Sequence, residues 1–406
     1  MKADINSIKG DDNSFKISVN SVQFNEAEWV YTSRVIKPNN STQNLALDFE
    51  FDGEDENKNK FVQATLKNTL RIALIKNQQA IQKLIDENQN LRVNIGTDND
   101  FYTQRSKLEE LGLEITTESL KKLPKMGHTN TTLEKVNKTG LGSSAAMVTS
   151  LVGAVLAYFG VIGVKNRELS EEDKQLVHNI SQLSHCSAQG KIGSGFDVSA
   201  AVYGTHIYRR FSPSVIEQAM ELSAEQAEKL LEVVDPKNKK FNSVVQKINL
   251  PPGTMLRLAD IQAGSNTPSM VSKVLKWRKD HEKEAQQLWN SIDEYNQSVV
   301  EVWHELNKLC LQDRDGYYSA LSKCSLLAAR CWNKDICANG SATDDSVEMN
   351  TVVALGKLYA TSLAIRRLMR EMGERCGVPI EPQSQTQLLD RCLDSPGVCM
   401  AGVPGG

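Results

Sequence analysis

The spacing of apolar residues in the first half of the chain predicts strands that alternate with helices. Apolar side chains recur at every second position in residues 14–24, which predicts a strand, and Leu91–Ile95 predicts another. Helical spacing runs through residues 57–87. The remaining predicted elements of this half are a short strand at Leu133–Val136, a helix at about 174–189, and a short helix and strand within 198–211.

The second half predicts long helices around a few strands. Residues 212–248 are charged and polar and predict surface helix and loop, and Pro251-Pro252-Gly253 is a strong break. Beyond it the pattern predicts strands at Met255–Ile261 and Gly397–Val403, and helices at 268–286, 287–311, 315–332, 346–375 and Gln383–Cys392. We therefore predict an α+β protein with one domain at 1–211, a connecting region at 212–252 and a second domain at 253–406.

Ala145–Val164 is an uncharged segment of twenty residues, long enough in principle to cross a bilayer. It contains Gly153, Gly160 and Gly163 and begins directly at a glycine-rich loop. A helix buried on most sides behind a ligand-binding loop explains these features better than a membrane span.

Composition narrows the class of protein. The net charge of −3 gives no electrostatic argument for binding nucleic acid. The eight cysteines form no Cys-x-x-Cys pair, which argues against a zinc site. No signal-peptide pattern opens the sequence, so we expect reduced thiols and a cytoplasmic protein without membrane partners.

The segment 138–146 reads Lys-Thr-Gly-Leu-Gly-Ser-Ser-Ala-Ala and predicts a tight loop that leads into a helix. Glycines let a backbone approach a ligand closely, and the first N–H groups of a helix attract an anion. Either Ser143 or Ser144 is expected to cap the helix, and one hydroxyl is placed to reach a phosphate-bound Mg²⁺. Plain helix capping is the alternative interpretation of this loop.

A second glycine-rich turn, Gln189–Asp197, follows the helix predicted at 174–189. An acidic residue at the end of such a turn is suited to orient or deprotonate a substrate oxygen, and Lys191 adds a positive charge. The alternative is that Asp197 only caps a helix. His185 and Cys186 precede the turn, and we interpret them as packing or helix-end residues because neighbours on a helix point about 100° apart.

Together the two motifs resemble those of the GHMP small-molecule kinases, whose phosphate loop is similar to Gly140–Ala146 and whose catalytic aspartate is similar to Asp197. Within that superfamily the residues of these motifs are similar to those of the phosphomevalonate kinases of fungi and plants. The segments that carry this resemblance are Lys138–Ala145, His185–Val198, Tyr208–Phe211, Asp260–Ser265 with Lys273 and Trp277, and Ile380–Asp390.

The resemblance implies the GHMP kinase fold, with an N-terminal ribosomal-S5-like α/β domain and a ferredoxin-like C-terminal domain enlarged by helices. It implies ATP, Mg²⁺ and 5-phosphomevalonate as ligands in a cleft between the domains. Asp197 and Lys191 would be catalytic and Ser144 would bind the metal. Lys138, Gly140, Leu141, Gly142, Ser143, Ser144 and Ala145 would bind the nucleotide. Lys138, Lys191, Ser194, Gly195, Arg209, Arg210, Ser265 and Lys273 would bind the substrate. Because Arg209 and Arg210 are adjacent on a predicted strand, we expect only one of them to face the site.

The ends of the sequence depart from the family. Residues 1–30 do not match its first motif, a Pro-Gly-Lys-rich strand, and its third motif has only begun at Ala401–Gly406. We therefore expect both edges of the fold to be incomplete and turnover by the chain as given to be low. Two alternatives stay open: mevalonate kinase or another GHMP small-molecule kinase, and a truncated, non-catalytic binding protein of the same fold.

Overall fold

The computed structural model describes residues 2–9, 14–37, 45–54, 57–259, 267–336 and 345–403. The chain divides into two compact units, Met1–Ile248 (unit 1) and Asn249–Gly406 (unit 2). Unit 1 combines sheet and helices, whereas the regular elements in the described residues of unit 2 are helices. The predicted α+β class is confirmed.

Unit 1 is built around a five-stranded sheet. Its strands are β1 (Lys2–Lys9), β2 (Phe15–Asn20), β3 (Glu28–Ile36), β4 (Ala46–Phe51) and β5 (Gln89–Gly96). They lie in the order β1-β5-β2-β3-β4; β2 and β5 are parallel and the other neighbours are antiparallel. The alternating residues Phe15, Ile17 and Val19 are fully buried on one face, as the sequence pattern predicts for a strand covered on one side.

The other elements of unit 1 follow the sheet or connect its strands. They are α1 (Lys60–Lys76), α2 (Gln78–Asp86), α3 (Arg105–Glu110), α4 (Thr117–Leu120), α5 (Ser143–Tyr158), α6 (Glu171–Gln189), α7 (Phe196–Tyr203), β6 (His206–Arg209), α8 (Ser214–Glu217), α9 (Ala227–Val234) and β7 (Val244–Lys247). Strands β6 and β7 form a separate antiparallel pair. Asn77 ends α1 and caps α2, so the helical pattern of 57–87 is two helices.

Helix α5 explains the long uncharged segment, because it separates two hydrophobic cores. Met147, Leu151 and Val155 pack in the core beneath the sheet. Val148 and Val152 pack in a second core shared with α6 and α9. A helix with apolar neighbours on both sides has little need of a polar face. No helix in the described part of the chain is long and apolar enough to cross a membrane.

Residues 212–248 lie within unit 1. Ile216, Leu230, Val234 and Phe241 from this stretch are buried in the second core. The stretch predicted to connect two domains therefore contributes apolar side chains to the first unit, and the domain boundaries themselves stay a prediction.

Unit 2 consists of α10 (Thr267–Asp280), α11 (Glu282–Gln312), α12 (Arg314–Cys324), α13 (Val347–Cys376) and α14 (Gln383–Leu393). One apolar cluster joins α11, α12 and α13 around the buried Trp332 and Tyr317. A second cluster joins Trp277 of α10 to Leu288 of α11 and Leu368 of α13. The helices predicted for this half are confirmed in number and order, but α10 ends at Asp280 instead of 286 and α12 ends at Cys324 instead of 332.

Three predicted strands are wrong where the structure describes them. Leu133–Val136 forms turns, and 397–403 and 255–259 have no regular structure; Asp260 and Ile261 lie outside the described residues. In the last of these stretches Met255, Leu256 and Leu258 are 67%, 73% and 57% exposed. The apolar side chains that predicted a strand there pack into no sheet or hydrophobic core of the described residues.

Candidate active site

The glycine-rich loop ends at Gly142, which is the N-cap of α5 in the left-handed conformation, with φ of 72°. Gly140 is also left-handed, with φ of 81°. The prediction that Ser143 or Ser144 caps the helix is wrong, because both lie inside α5 and no side chain caps it. The first amide N–H groups of α5 are thus left for an external acceptor, and an anion is the acceptor they favour.

The segment before α3 holds the glycine loop in place. Tyr102 pairs with Lys138 in an isolated β-bridge, and the Thr139 hydroxyl donates to the carbonyl of Asp100 over 2.7 Å. Tyr102 is 3% exposed, and burial raises the pKa of its phenol, although Ser143 and Thr97 oppose that shift. The bridge and the Thr139 hydrogen bond fix the chain that enters the loop.

The second glycine-rich turn presents Asp197 beside this loop. Helix α6 ends at Gly190, and Gly195 is the N-cap of α7, each with positive φ. Asp197 is therefore in the first turn of α7 rather than at its cap position. A Cβ atom added to Gly142 would lie 3.4 Å from Cβ of Asp197, so the two loops touch. The sequence predicted both loops, and the structure brings them together.

His185 joins the two loops. Its Nε2 atom lies 3.1 Å from Oγ of Ser144 and 3.8 Å from Oδ2 of Asp197. The side chain is nearly buried and packs against the ring of Phe61. Burial lowers the pKa of the imidazole, and the charge of Asp197 opposes that shift. His185 packs near the end of α6, as expected, and it also contacts two predicted site residues, which the sequence did not indicate.

Four cations predicted for the site are exposed on unit 1. They are Lys138, Lys191, Arg209 and Arg210. Strand alternation does not separate the two arginines, because β6 ends at Arg209. Arg210 acts electrostatically on the buried Cys186 thiol and on the Tyr208 hydroxyl, and Asp197 acts on the same two groups.

The other predicted site residues are placed as follows. Ser194 is exposed and Gly195 is buried beside Asp197 in the second turn. Leu141 is exposed at the tip of the first loop, and Ala145 is fully buried in α5. Lys273 is exposed on α10 of unit 2, in a shallow depression with Lys276, Trp277 and Arg375. Ser265 lies outside the described residues.

Comparison with known proteins shows which family the chain resembles. A model for the GHMP kinases N terminal domain matches residues 104–205, a range that holds both loops and His185. The chain is 37% identical to "Phosphomevalonate kinase, peroxisomal" of Arabidopsis thaliana, over 86% of this chain and 71% of that protein. It is 31% identical to "Phosphomevalonate kinase ERG8" of Gibberella zeae, over 100% of this chain and 79% of that protein. Identity to the "Phosphomevalonate kinase" of Candida albicans is 29%, over 96% and 76% of the two chains.

Proposed function

The chain belongs to the phosphomevalonate kinase family of the GHMP kinases, and on that premise we propose that it phosphorylates 5-phosphomevalonate. The reaction transfers the terminal phosphoryl group of ATP to the substrate phosphate and yields ADP and 5-diphosphomevalonate, an intermediate of isoprenoid and sterol synthesis. The observation that carries the proposal is the contact between the glycine loop and Asp197. It places an anion-binding helix terminus next to an acidic side chain, as phosphoryl transfer requires.

The ATP phosphates are proposed to bind at the N-terminus of α5. Backbone N–H groups from Gly140 to Ala145 face them, and Lys138 supplies a positive charge at the entry to the loop. No side chain of the described residues caps α5, which leaves its first amides for a phosphate.

Mg²⁺ is proposed to be held through Ser144. The hydroxyl of Ser144 and the carboxylate of Asp197 both approach Nε2 of His185, so two hard oxygen donors lie close to each other. Such donors, together with phosphate oxygens and water, suit Mg²⁺. When bound, the ion would neutralise negative charge on the phosphates. In the described residues no cluster of three or more acidic, His or Cys side chains is arranged to hold a metal by itself.

Asp197 is proposed mainly to position Mg²⁺ or Lys191 rather than to act as a strong base. A phosphomonoester has its second pKa near 6, so the attacking oxygen is already anionic at neutral pH. The substrate phosphate then needs cations, which Lys191, Arg209 and Arg210 supply, with hydrogen bonds from Ser194 and Gly195. The assignment of Ser265 and Lys273 to substrate binding stays a prediction of the resemblance. Catalysis rests on positioning and charge neutralisation.

The function is tested with the purified chain in an ADP-release assay containing ATP and Mg²⁺. We expect turnover with 5-phosphomevalonate at least about 100-fold above that with mevalonate, since the cations are placed for a phosphorylated acceptor. Faster turnover with mevalonate would identify a mevalonate kinase. ATP binding measured by calorimetry without turnover of either acceptor would identify a binding protein of this fold.

Asp197→Asn tests the assigned role of the aspartate. We expect turnover to fall by about 100-fold or more while the Kd for ATP changes by less than about threefold. Turnover close to that of the unaltered chain removes Asp197 from the catalytic residues.

We also propose that the reaction takes place in the cytoplasm. The seven cysteines within the described residues are free thiols, as a reducing compartment maintains them. One relative is named as peroxisomal. Cell fractionation decides between the two compartments, and sedimentation of the protein with peroxisomes contradicts the proposal.

A further inference from the structure

Helix α6 buries polar side chains next to its apolar core positions. His178 and Gln182 are 0% exposed and Asn179 is 1% exposed. Buried polar groups destabilise a fold unless they are hydrogen-bonded, so their partners show what they do. The partners of these three side chains lead to α7, the helix that carries Asp197.

Gln182 holds the N-cap of α7. Its Nε2 atom donates to the carbonyl of Gly195 over 2.7 Å and lies 3.1 Å from Nε2 of His178. The same Gly195 carbonyl accepts the amide of Ser199 in α7, so both of its lone pairs are used. Since Asp197 is two residues after Gly195, this bond fixes the turn from which the carboxylate projects.

His178 fixes the orientation of the Gln182 amide. Nδ1 of His178 lies 3.2 Å from Oδ1 of Asn179, which places the ring proton on Nδ1 and leaves Nε2 as an acceptor. Burial lowers the pKa of His178 to about 4, so the ring is neutral at physiological pH. The two hydrogens of the Gln182 amide are then directed to His178 and Gly195, and a flipped amide would set its oxygen against the Gly195 carbonyl.

The network also reaches the last residue of α7. Oδ1 of Asn179 accepts a hydrogen bond from Gln175 over 2.7 Å, and Oε1 of Gln175 accepts one from the Tyr203 hydroxyl over 3.0 Å. Helix α7 is thus bonded to α6 at both ends, through Gly195 and Tyr203. Tyr203 lies six residues beyond Asp197, whereas Gly195 is adjacent to its turn, which makes the two ends a matched pair for experiment.

Gly195 and Gln182 are also fitted to each other sterically. A Cβ atom on Gly195 would lie 2.3 Å from Oε1 of Gln182, and Gly195 has φ of 73°. The glutamine therefore occupies the space that a side chain at the cap would need. The turn before Asp197 is consequently defined by a hydrogen bond, a positive φ and a close contact.

We propose that Gln182 is a positioning residue for phosphoryl transfer, which holds the Gly195 carbonyl and thereby sets Asp197 against the glycine loop. The proposal rests on the proposed function of the site, because it assigns Gln182 a role through Asp197. A purely structural glutamine would affect folding and leave the catalytic contribution of Asp197 unchanged.

The first experiment measures the anchor without reference to activity. Gln182→Met keeps the length of the side chain and removes the donor, whereas Tyr203→Phe removes only the bond at the far end of α7. Amide hydrogen exchange in the full chain is expected to be at least about tenfold faster around Gly195–Ser199 in Gln182→Met, and unchanged there in Tyr203→Phe. Unchanged exchange at these amides in Gln182→Met overturns the proposal.

The second experiment measures coupling to Asp197 by ADP release with ATP and 5-phosphomevalonate. Gln182→Met is expected to lower kcat by about 10- to 100-fold with little change in KM for ATP, because displacing a catalytic group by about 1 Å has an effect of that order. Added to Asp197→Asn, it is expected to lower kcat no further. An equal loss of kcat on both backgrounds overturns the positioning role.

The two experiments separate this proposal from the proposed function. If Asp197→Asn keeps full turnover, the role of Asp197 fails, while the exchange data still decide whether Gln182 anchors α7.

Discussion

A buried ion pair in unit 2 gives the most quantitative prediction. Glu381 has a side chain only 4% exposed and binds Arg366 through both of its oxygens, at 2.8 Å and 3.1 Å. It also accepts hydrogen bonds of 2.9 Å from Arg370 and from the hydroxyl of Thr386. Glu381→Gln keeps the shape of this side chain and removes its charge. It leaves the buried guanidinium of Arg366 with Asp390 as its remaining carboxylate.

The size of the effect follows from the pKa of Glu381. Burial alone would raise this pKa, but hydrogen bonds from Arg366, Thr386 and Arg370 outweigh burial and lower it from 4.5 to about 2. The difference corresponds to about 3 kcal/mol of folding free energy. Because the folded pKa is depressed, this stability is present above about pH 5 and is lost as the pH falls towards 2. About 1.4 kcal/mol of it is already lost at pH 3.5.

Urea unfolding followed by tryptophan fluorescence measures this contribution to the free energy of unfolding, since four of the five tryptophans lie in unit 2. We expect Glu381→Gln to be less stable than the unaltered chain by about 3 kcal/mol at pH 7 and by clearly less at pH 3.5. Asp394→Asn, which removes an exposed partner of Arg330, is the control and is expected to change stability by less than about 1 kcal/mol at both pH values. A Glu381→Gln difference that is the same at both pH values refutes the reasoning.

Two further predictions concern the site, and ADP release with ATP and 5-phosphomevalonate measures both. His185→Leu removes the partner of the Ser144 hydroxyl and should lower kcat by about tenfold or more. His185→Gln keeps a polar group there and should retain more activity. Equal losses of kcat in the two variants contradict a polar role for His185. Gly142→Ala strains a left-handed residue by about 1–2 kcal/mol next to Asp197 and should raise KM for ATP by about tenfold. Gly112→Ala carries the same strain in open space and should leave KM for ATP unchanged. A similar rise of KM in both variants would mean that general destabilisation causes it.

The spacing of apolar residues predicted those elements whose buried side chains can be identified from their own stretch of sequence. Strand β2 and helix α5 are examples: the first buries every second side chain, and the second is apolar all round because cores lie on both sides of it. The stretch Met255–Leu258 shows what the spacing of apolar residues does not encode. Its apolar side chains are exposed in the structure, and periodicity indicates which residues would suit a core without indicating whether another element covers them.

The same limit applies to the site. The two glycine-rich loops are local in sequence, and their glycines and hydroxyls were sufficient to predict them. His185 lies 41 residues after Ser144, and its role depends on the packing of α6 against α5, which no local pattern encodes. A histidine in the last turns of a helix carries no signal that distinguishes a site residue from a packing residue. The serine caps failed for a related reason, because Gly142 adopts the cap conformation and frees both hydroxyls for tertiary contacts.

Helix α6 is the common support of the two halves of the site. It places His185 against Ser144 of α5, and one turn earlier it places Gln182 against the cap of α7. Gly142 and Asp197 lie next to each other, and α5 also packs directly against α7. Because a helix has a fixed rise per residue, two contacts from one helix set the positions of both loops at once. The polar face of α6 therefore contacts both loops, and the spacing of its apolar residues does not reveal this.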